Sequence, residues 1–220
     1  ANNVITLDEL IELYNNKYVG FEIDVDKSTQ ELKIIYGNEN VYDLFYKRIN
    51  YEIVLISDDD EQESLFVKFE HEIVLPQCEA IKEGYEFSGN WMSEGGTMFE
   101  ANKGFVVSEG LLLSEFNGKR LILMVFWTPK QYTIIWDGNL ASNSFEQWGN
   151  YNSNFYKIKN IDGTNYLTSK VTYGEKIIGG NLPLKPERIG FEFAGWLFDD
   201  NSKIDFSQNY IYPRDMTVKA

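Results

Sequence analysis

The sequence predicts a mainly β, α+β chain: antiparallel sheets with few short helices, arranged as tandem units. Three observations lead there. A short motif occurs twice, as Gly84-Tyr85-Glu86-Phe87-Ser88-Gly89-Asn90-Trp91 and as Gly190-Phe191-Glu192-Phe193-Ala194-Gly195-Trp196, the first copy carrying one added residue, Asn90. The elements around the motif recur in the same order, which is the mark of a repeat architecture. The apolar runs are short and rich in β-branched and aromatic residues, as strands that bury one face require.

Taken in chain order, the first 50 residues open on Thr6-Leu7-Asp8-Glu9. This has the form of a capping box, in which hydroxyl and carboxylate satisfy free amides of a first helical turn. Leu7, Leu10, Ile11 and Tyr14 follow at i, i+3, i+4 and i+7, predicting a short amphipathic helix that ends near Asn15-Asn16. Tyr18 to Asp24, Glu31 to Tyr36 and Val41 to Lys47 read as three strands separated by polar or Gly-Asn turns. This segment, 1–50, reads as one helix and three strands, with the end of a preceding unit as one interpretation of it.

The first unit spans 51–127. Its strands are Tyr51 to Leu55, Leu65 to Phe69, the motif itself, and Leu121 to Trp127, where alternation puts Leu121, Leu123, Val125 and Trp127 on one face. Thr128-Pro129-Lys130 is the expected joint, because Pro129 has no N–H to give to a ladder. The second unit spans 132–220, with Tyr132 to Trp136, Lys170 to Tyr173, the second motif, and Met216 to Ala220 in the matching places. Leu75-Pro76 and Leu182-Pro183 precede the two motifs. An insertion of about 25 residues, near 139–165, interrupts the second unit and is rich in Asn, Ser and aromatics; long loops of this kind carry function more often than connectors do. The closing strand would need two more residues to reach a tryptophan equivalent to Trp127, and Ala1 follows no initiator methionine, so a piece of a longer polypeptide is expected.

Bulk properties narrow the function. With 220 residues of which 43% are hydrophobic, the chain can bury a core. A formal charge of −14 disfavours nucleic acid and anionic membrane surfaces, which are met with surplus Lys and Arg. No run reaches the roughly 18 to 20 apolar residues of a membrane helix, and no secretory signal is present at the N-terminus. A single cysteine, Cys78, rules out an internal disulfide or a multi-cysteine zinc site.

Chemical motifs are weak throughout. His71 is the sole histidine, seven positions before Cys78 and across Pro76, so a positioned Cys–His pair with a third orienting group is not expected. Asp24-x-Asp26-x-Ser28 begins like a calcium loop but lacks the sixth-position glycine and has Ile35 where the bidentate acid belongs. Asp58-Asp59-Asp60-Glu61-Gln62-Glu63 reads as a solvated hairpin loop, and whether either acidic loop holds calcium is left open. Gly118-Lys119-Arg120 has no hydroxyl after the lysine, so nucleotide binding has no support. Trp91 and Trp196 could be sugar platforms or core plugs; tryptophans repeated beside glycines favour the core.

The run Val171-Thr172-Tyr173-Gly174-Glu175-Lys176-Ile177, Leu182-Pro183, Gly190 to Trp196 and Asp215 to Ala220 resembles the Listeria–Bacteroides repeat, the internalin B-type repeat of bacterial surface proteins. The first unit resembles it more loosely and lacks the Tyr-Gly turn, while residues 41–50 are similar to the strand and linker that precede such repeats in surface adhesins. The resemblance covers roughly three quarters of the chain. It implies a small β-grasp-like module, strung in arrays as a stalk or adhesive segment, with no catalytic residues to carry over.

The leading expectation is therefore a non-catalytic tandem-repeat segment of an extracellular, cell-surface protein of a bacterium. It would be a stalk or adhesive module, monomeric, without cofactor or metal, contacting a host or neighbouring-cell protein or glycan. The second reading is a carbohydrate-binding accessory module of a secreted enzyme. Any ligand contact is expected at Trp148, Tyr151 and Phe155 of the insertion, which that reading requires to be exposed and roughly coplanar. A catalytic domain is the third reading, and it needs a cleft gathering two or more carboxylates with perturbed protonation.

Overall fold

The computed structural model describes residues 4–58, 62–139, 153–177 and 185–220. The chain forms two compact units: 1–80 with 87–126, and 81–86 with 127–220.

In the first unit, β1 (Val4–Thr6) runs into α1 (Leu7–Tyr14), and β2 (Phe21–Ile23), β3 (Glu31–Lys33) and β4 (Tyr46–Arg48) follow. The capping box forms as expected: the Glu9 amide donates to Thr6 Oγ1 at 3.4 Å, and the Thr6 amide donates to Glu9 Oε2 at 2.8 Å. Leu7 and Leu10 are buried against Ile23, with Ile11 and Tyr14 packed at the margin. The three strands are shorter than the sequence suggests. For β4 the cause is visible at Asp43 and Phe45. The Asp43 amide donates to Thr29 Oγ1 and the Phe45 amide to Ser28 Oγ, while their carbonyls accept from the Thr29 and Asp24 amides. Loop 24–29 thus uses the groups that would have extended β4.

A five-stranded sheet follows, in the order β6 (Gln62–Lys68), β5 (Asn50–Ile56), β11 (Arg120–Pro129), β8 (Tyr85–Ser93), β9 (Met98–Glu100). Strand β5 is antiparallel to β6 and parallel to β11, with Glu52 opposite Arg120 and Ile56 opposite Met124. Strands β7 (Glu72–Val74) and β10 (Gly104–Val106) make a separate antiparallel pair, and a second helix, α2 (Glu109–Glu115), is capped by Ser108. Alternation along β11 holds: Leu121, Leu123 and Val125 are buried and Trp127 is half-buried. Leu121, Leu123 and Val125 belong with Ile53, Leu55 and Trp91 to the buried apolar set of this unit. Strand β11 runs through Thr128 and Pro129, which the sequence places in the joint, and Lys130 alone separates it from the next strand.

The second unit holds a four-stranded sheet, β13 (Lys157–Ile161), β14 (Thr164–Thr172), β12 (Gln131–Asp137), β15 (Met216–Lys219). Strand β12 is antiparallel to β14 and parallel to β15, so the arrangement around β5 is repeated around β12. The chain is mainly β with mostly antiparallel pairing, as expected, and each large sheet adds one parallel pair. Trp136, Tyr156, Leu167, Trp196 and Tyr210 centre the core, and the Trp136 indole donates to Ser169 Oγ at 2.9 Å. Part of the expected insertion is a hairpin: β13 and β14 join at Asp162-Gly163, where both residues have positive φ. That is the two-residue turn such a dipeptide favours, because its twist matches the flanking strands.

The second copy of the motif departs from the first. Gly190 to Trp196 is not a ladder strand; Leu197 alone exchanges two backbone bonds with Lys219 of β15. In the first unit β8 is held from both sides, by β11 and by the β9 rungs Asn90–Glu100 to Met92–Met98. After Trp196 the chain instead turns at 198–202, where Asp200 accepts from the Ser202 amide and hydroxyl.

The opening glycine of each copy is left-handed, φ 80° at Gly84 and 82° at Gly190. A Cβ at Gly84 would lie 2.5 Å from the Tyr173 ring, whereas one at Gly190 would meet nothing within 4 Å. Gly190→Ala is therefore expected to cost only the backbone penalty, about 1–2 kcal/mol. Gly84→Ala should cost more, since the ring must also move. Urea unfolding of the two variants checks the order, and equal losses would contradict this placement.

Candidate functional site

Of the three residues proposed for ligand contact, Trp148 and Tyr151 lie outside the described residues. Phe155 is 51% exposed and leads into β13, while its neighbour Tyr156 turns inward and packs edge-on against Trp136 at 6.3 Å between ring centroids. Burial pushes the Tyr156 hydroxyl well above the ordinary tyrosine value. Residues 155–156 therefore split one displayed ring from one core ring at the turn that leads into β13.

The two motif tryptophans are core residues, Trp91 at 4% and Trp196 at 3% exposure. Trp91 Nε1 donates to the Pro76 carbonyl at 2.8 Å, so the Leu-Pro link before the motif is the acceptor that holds the indole in place. Trp196 sits edge-on to Trp136 at 5.0 Å and to Phe193 at 5.6 Å. Neither presents a face to a sugar.

The remaining chemical candidates resolve into structural roles. Asp24 accepts the Lys27 and Ser28 amides through its carbonyl and faces Lys27 Nζ at 3.6 Å, closing the 24–28 loop on itself. Among the described residues no group of three or more His, Cys, Asp or Glu is placed to hold a metal ion. His71 is exposed, with Nδ1 3.1 Å from the Phe69 carbonyl, and Cys78 is half-buried beside a concavity lined by Ser57, Glu63, Pro76 and Trp91 that does not include His71.

Two carboxylates are tightly held. Glu115, at the end of α2, accepts the Ser93 and Thr97 hydroxyls, each at 2.6 Å, and ties the helix to the β8–β9 turn. Those bonds favour the charged form and lower its pKa below the ordinary 4.5. Glu52 accepts from Ser64 Oγ and from Arg120 Nε, both at 2.8 Å, with the same effect. Neither faces a second carboxylate across a cleft; both brace secondary structure. For Glu115 the folded pKa is the lower one, so its contribution is present above about 4.5 and is lost as pH falls through the folded value. Glu115→Gln should lower the melting temperature near neutral pH and flatten its decline in the acid range. Parallel melting curves down to acid pH would contradict the role.

The sequence did not single out one mixed surface feature of the second unit. A concavity of about 520 Å³ in the second unit is lined by Arg188, Phe191, Phe193, Lys203 and Ala220, among others. The Arg188 guanidinium lies 4.3 Å from the Phe191 ring centroid and donates to the Asn139 carbonyl at 3.2 Å. Phe191 is 69% exposed although the motif alternates like a buried strand. The signal was the Arg188-x-x-Phe191 spacing, which carries little meaning until the segment is known to leave the sheet.

In each unit one strand pairs antiparallel on one side, β5 with β6 and β12 with β14, and parallel on the other with the last long strand of its sheet, β11 or β15, so a mainly β protein uses one strand arrangement twice. Residues 151–220 match the family model of the Listeria-Bacteroides repeat domain, bearing out the resemblance read from the second unit. The match begins inside the expected insertion and takes in β13, so the 157–161 strand lies within the matched repeat. No curated protein and no solved structure matches the chain. The repeat family is a non-catalytic module type typical of surface proteins, and among the described residues no helix is long and apolar enough to cross a membrane.

Proposed function

We propose that this chain is a non-catalytic repeat segment of a bacterial cell-surface protein, acting outside the cell as a stalk or ligand-contact module, with each unit a β-grasp-like repeat. The observation that carries it is the recurrence of one strand arrangement, β5 with β6 and β11, then β12 with β14 and β15, joined to the family match over 151–220. Polar clusters tied up in bracing the fold, as at Glu52 and Glu115, are what a structural module uses carboxylates for. Antibodies raised to the chain should label intact cells of the source bacterium, and mild protease treatment of those cells should remove the signal. A signal seen only after lysis would overturn the reading.

The carbohydrate-binding alternative keeps one described support, the displayed ring of Phe155 on the segment leading into β13. Calorimetry against a panel of glycans tests it: heat that disappears in Phe155→Ala would favour it, and no heat with the unmodified chain would sink it.

A further inference from the structure

We infer that each unit is a shear-loaded mechanical clamp, in which tension along the chain is carried by the parallel pairing of the unit's first and last sheet strands. The inference rests on the surface-stalk reading for its biological sense, though its physical basis is the topology alone. In the first unit β5 and β11 run side by side in the same direction over five rungs, Glu52–Arg120 to Ile56–Met124. In the second, β12 and β15 do so over four, Ile134–Met216 to Asp137–Lys219. Pulling the start of one parallel strand against the end of its partner slides the two along their length. Ladder hydrogen bonds lie across the strands, so sliding strains the whole ladder at once. A hairpin pulled apart at its open end breaks its bonds one after another.

Two further features stiffen this interface. The rungs alternate with side chains sealed in the core: Ile53, Leu55, Leu121 and Leu123 in one unit, Ile134, Trp136, Met216 and Val218 in the other. Sliding by one residue would turn every one of them to the opposite face. Each ladder is also pinned where it begins. Arg120 Nε donates to Glu52 Oε2 at 2.8 Å in the first unit, and in the second the Thr133 amide donates to Asp215 Oδ1 at 2.7 Å. The two pins use different chemistry, an ion pair on the first rung in one case and a backbone-to-carboxylate bond one residue ahead of it in the other. Chain connectivity completes the device, since Lys130 alone lies between β11 and β12 and passes tension from one clamp to the next strand.

Single-molecule pulling of the full chain, with Cys78 replaced by Ala and handles on engineered cysteines, tests this directly. In the first unit, handles at Asn50 and Lys130 load β5 against β11 in shear, while handles at Asn50 and Lys68 unzip the β5–β6 hairpin from its open end. In the second unit the equivalent pairs are Gln131 with Lys219 and Gln131 with Thr172. The expected result is an unfolding force several-fold higher in shear than in unzipping, in both units, with each event lengthening the chain by roughly 3.4 Å per residue released. Forced unfolding reports the unfolding barrier, so the comparison does not depend on equilibrium stability. Equal forces in the two geometries would overturn the clamp and leave the surface assignment intact; strong shear resistance in a protein that antibodies find only inside cells would overturn the surface assignment and leave the clamp.

Discussion

Trp136→Ala is expected to remove the second unit's fold or leave it marginal, with a loss of about 3–5 kcal/mol. The indole is fully buried and packs against three rings while making one polar bond. Trp196 lies edge-on at 5.0 Å, Tyr156 and Phe206 each at 6.3 Å, and Ser169 accepts the indole N–H at 2.9 Å. Truncation removes the ring from β12, the strand that pairs with both β14 and β15, and leaves a cavity that the surrounding rings fill only in part. It also strands the Ser169 hydroxyl, in a residue only 7% exposed, without its donor. Hydrogen exchange should show protection lost through β12, β14 and β15. Trp136→Phe should recover part of the loss, since it restores most of the volume and none of the hydrogen bond. Retention of wild-type protection in β12 by Trp136→Ala would contradict this account of the core.

How much of this was legible in the sequence follows from how local each signal is. The capping box and the Leu7–Leu10 stripe lie within two helical turns, and α1 forms as they predict. Alternation along β11 is equally local, and its inward residues are those expected. The core role of Trp91 and Trp196 was readable because two copies of one motif constrain each other. What failed depended on partners distant in sequence. Strand β4 is short because loop 24–29 takes the hydrogen bonds of Asp43 and Phe45, and β1 forms because β3 is there to pair with Val4 to Thr6. The motif at 190–196 looks the same as that at 84–91, yet only the latter becomes a strand, since only there do ladders form on both sides. The parallel pairs around β5 and β12 were not in the sequence reading at all: direction of pairing is a property of connectivity, not of residue pattern. Helix α2 was not anticipated from the sequence; Ser108 caps it, and of its three consecutive leucines Leu113 is 78% exposed.

The candidate site was the least legible part for a related reason. Aromatic residues in an Asn- and Ser-rich segment can face either way, and composition does not choose between them. Tyr156 and Phe155 show both outcomes in adjacent positions. The Arg188–Phe191 pair shows the reverse case, in which a motif that looks like buried strand leaves an aromatic ring displayed with a guanidinium on it. Such a pairing shields one ring face and offers an apolar and cationic surface together, in a chain whose net charge is strongly negative.

Trp91→Ala is the counterpart test in the first unit, with an expected loss of about 3–5 kcal/mol from removing a buried indole. The paired variant Trp91→Phe separates the two parts of that loss. Its ring can still pack against Phe87, 5.7 Å away, but the Pro76 carbonyl loses its donor. Pro76 is half-buried, and losing one hydrogen bond costs about 0.5–1.5 kcal/mol, so Phe should restore part and not all of the stability. The same bond gives the test its local signature. Pro76 belongs to the link that follows Leu75, a residue with no exposed surface, and Asn102 donates its amide to the Leu75 carbonyl at 2.8 Å. If the indole anchors this link, Trp91→Phe should raise hydrogen exchange at Gln77 and Cys78 and the reactivity of the Cys78 thiol toward a maleimide, while leaving β5 and β6 protected. If Cys78 reactivity does not change in Trp91→Phe, the indole fills space without holding the link, and the recurrence of Leu-Pro ahead of both motifs needs another physical cause.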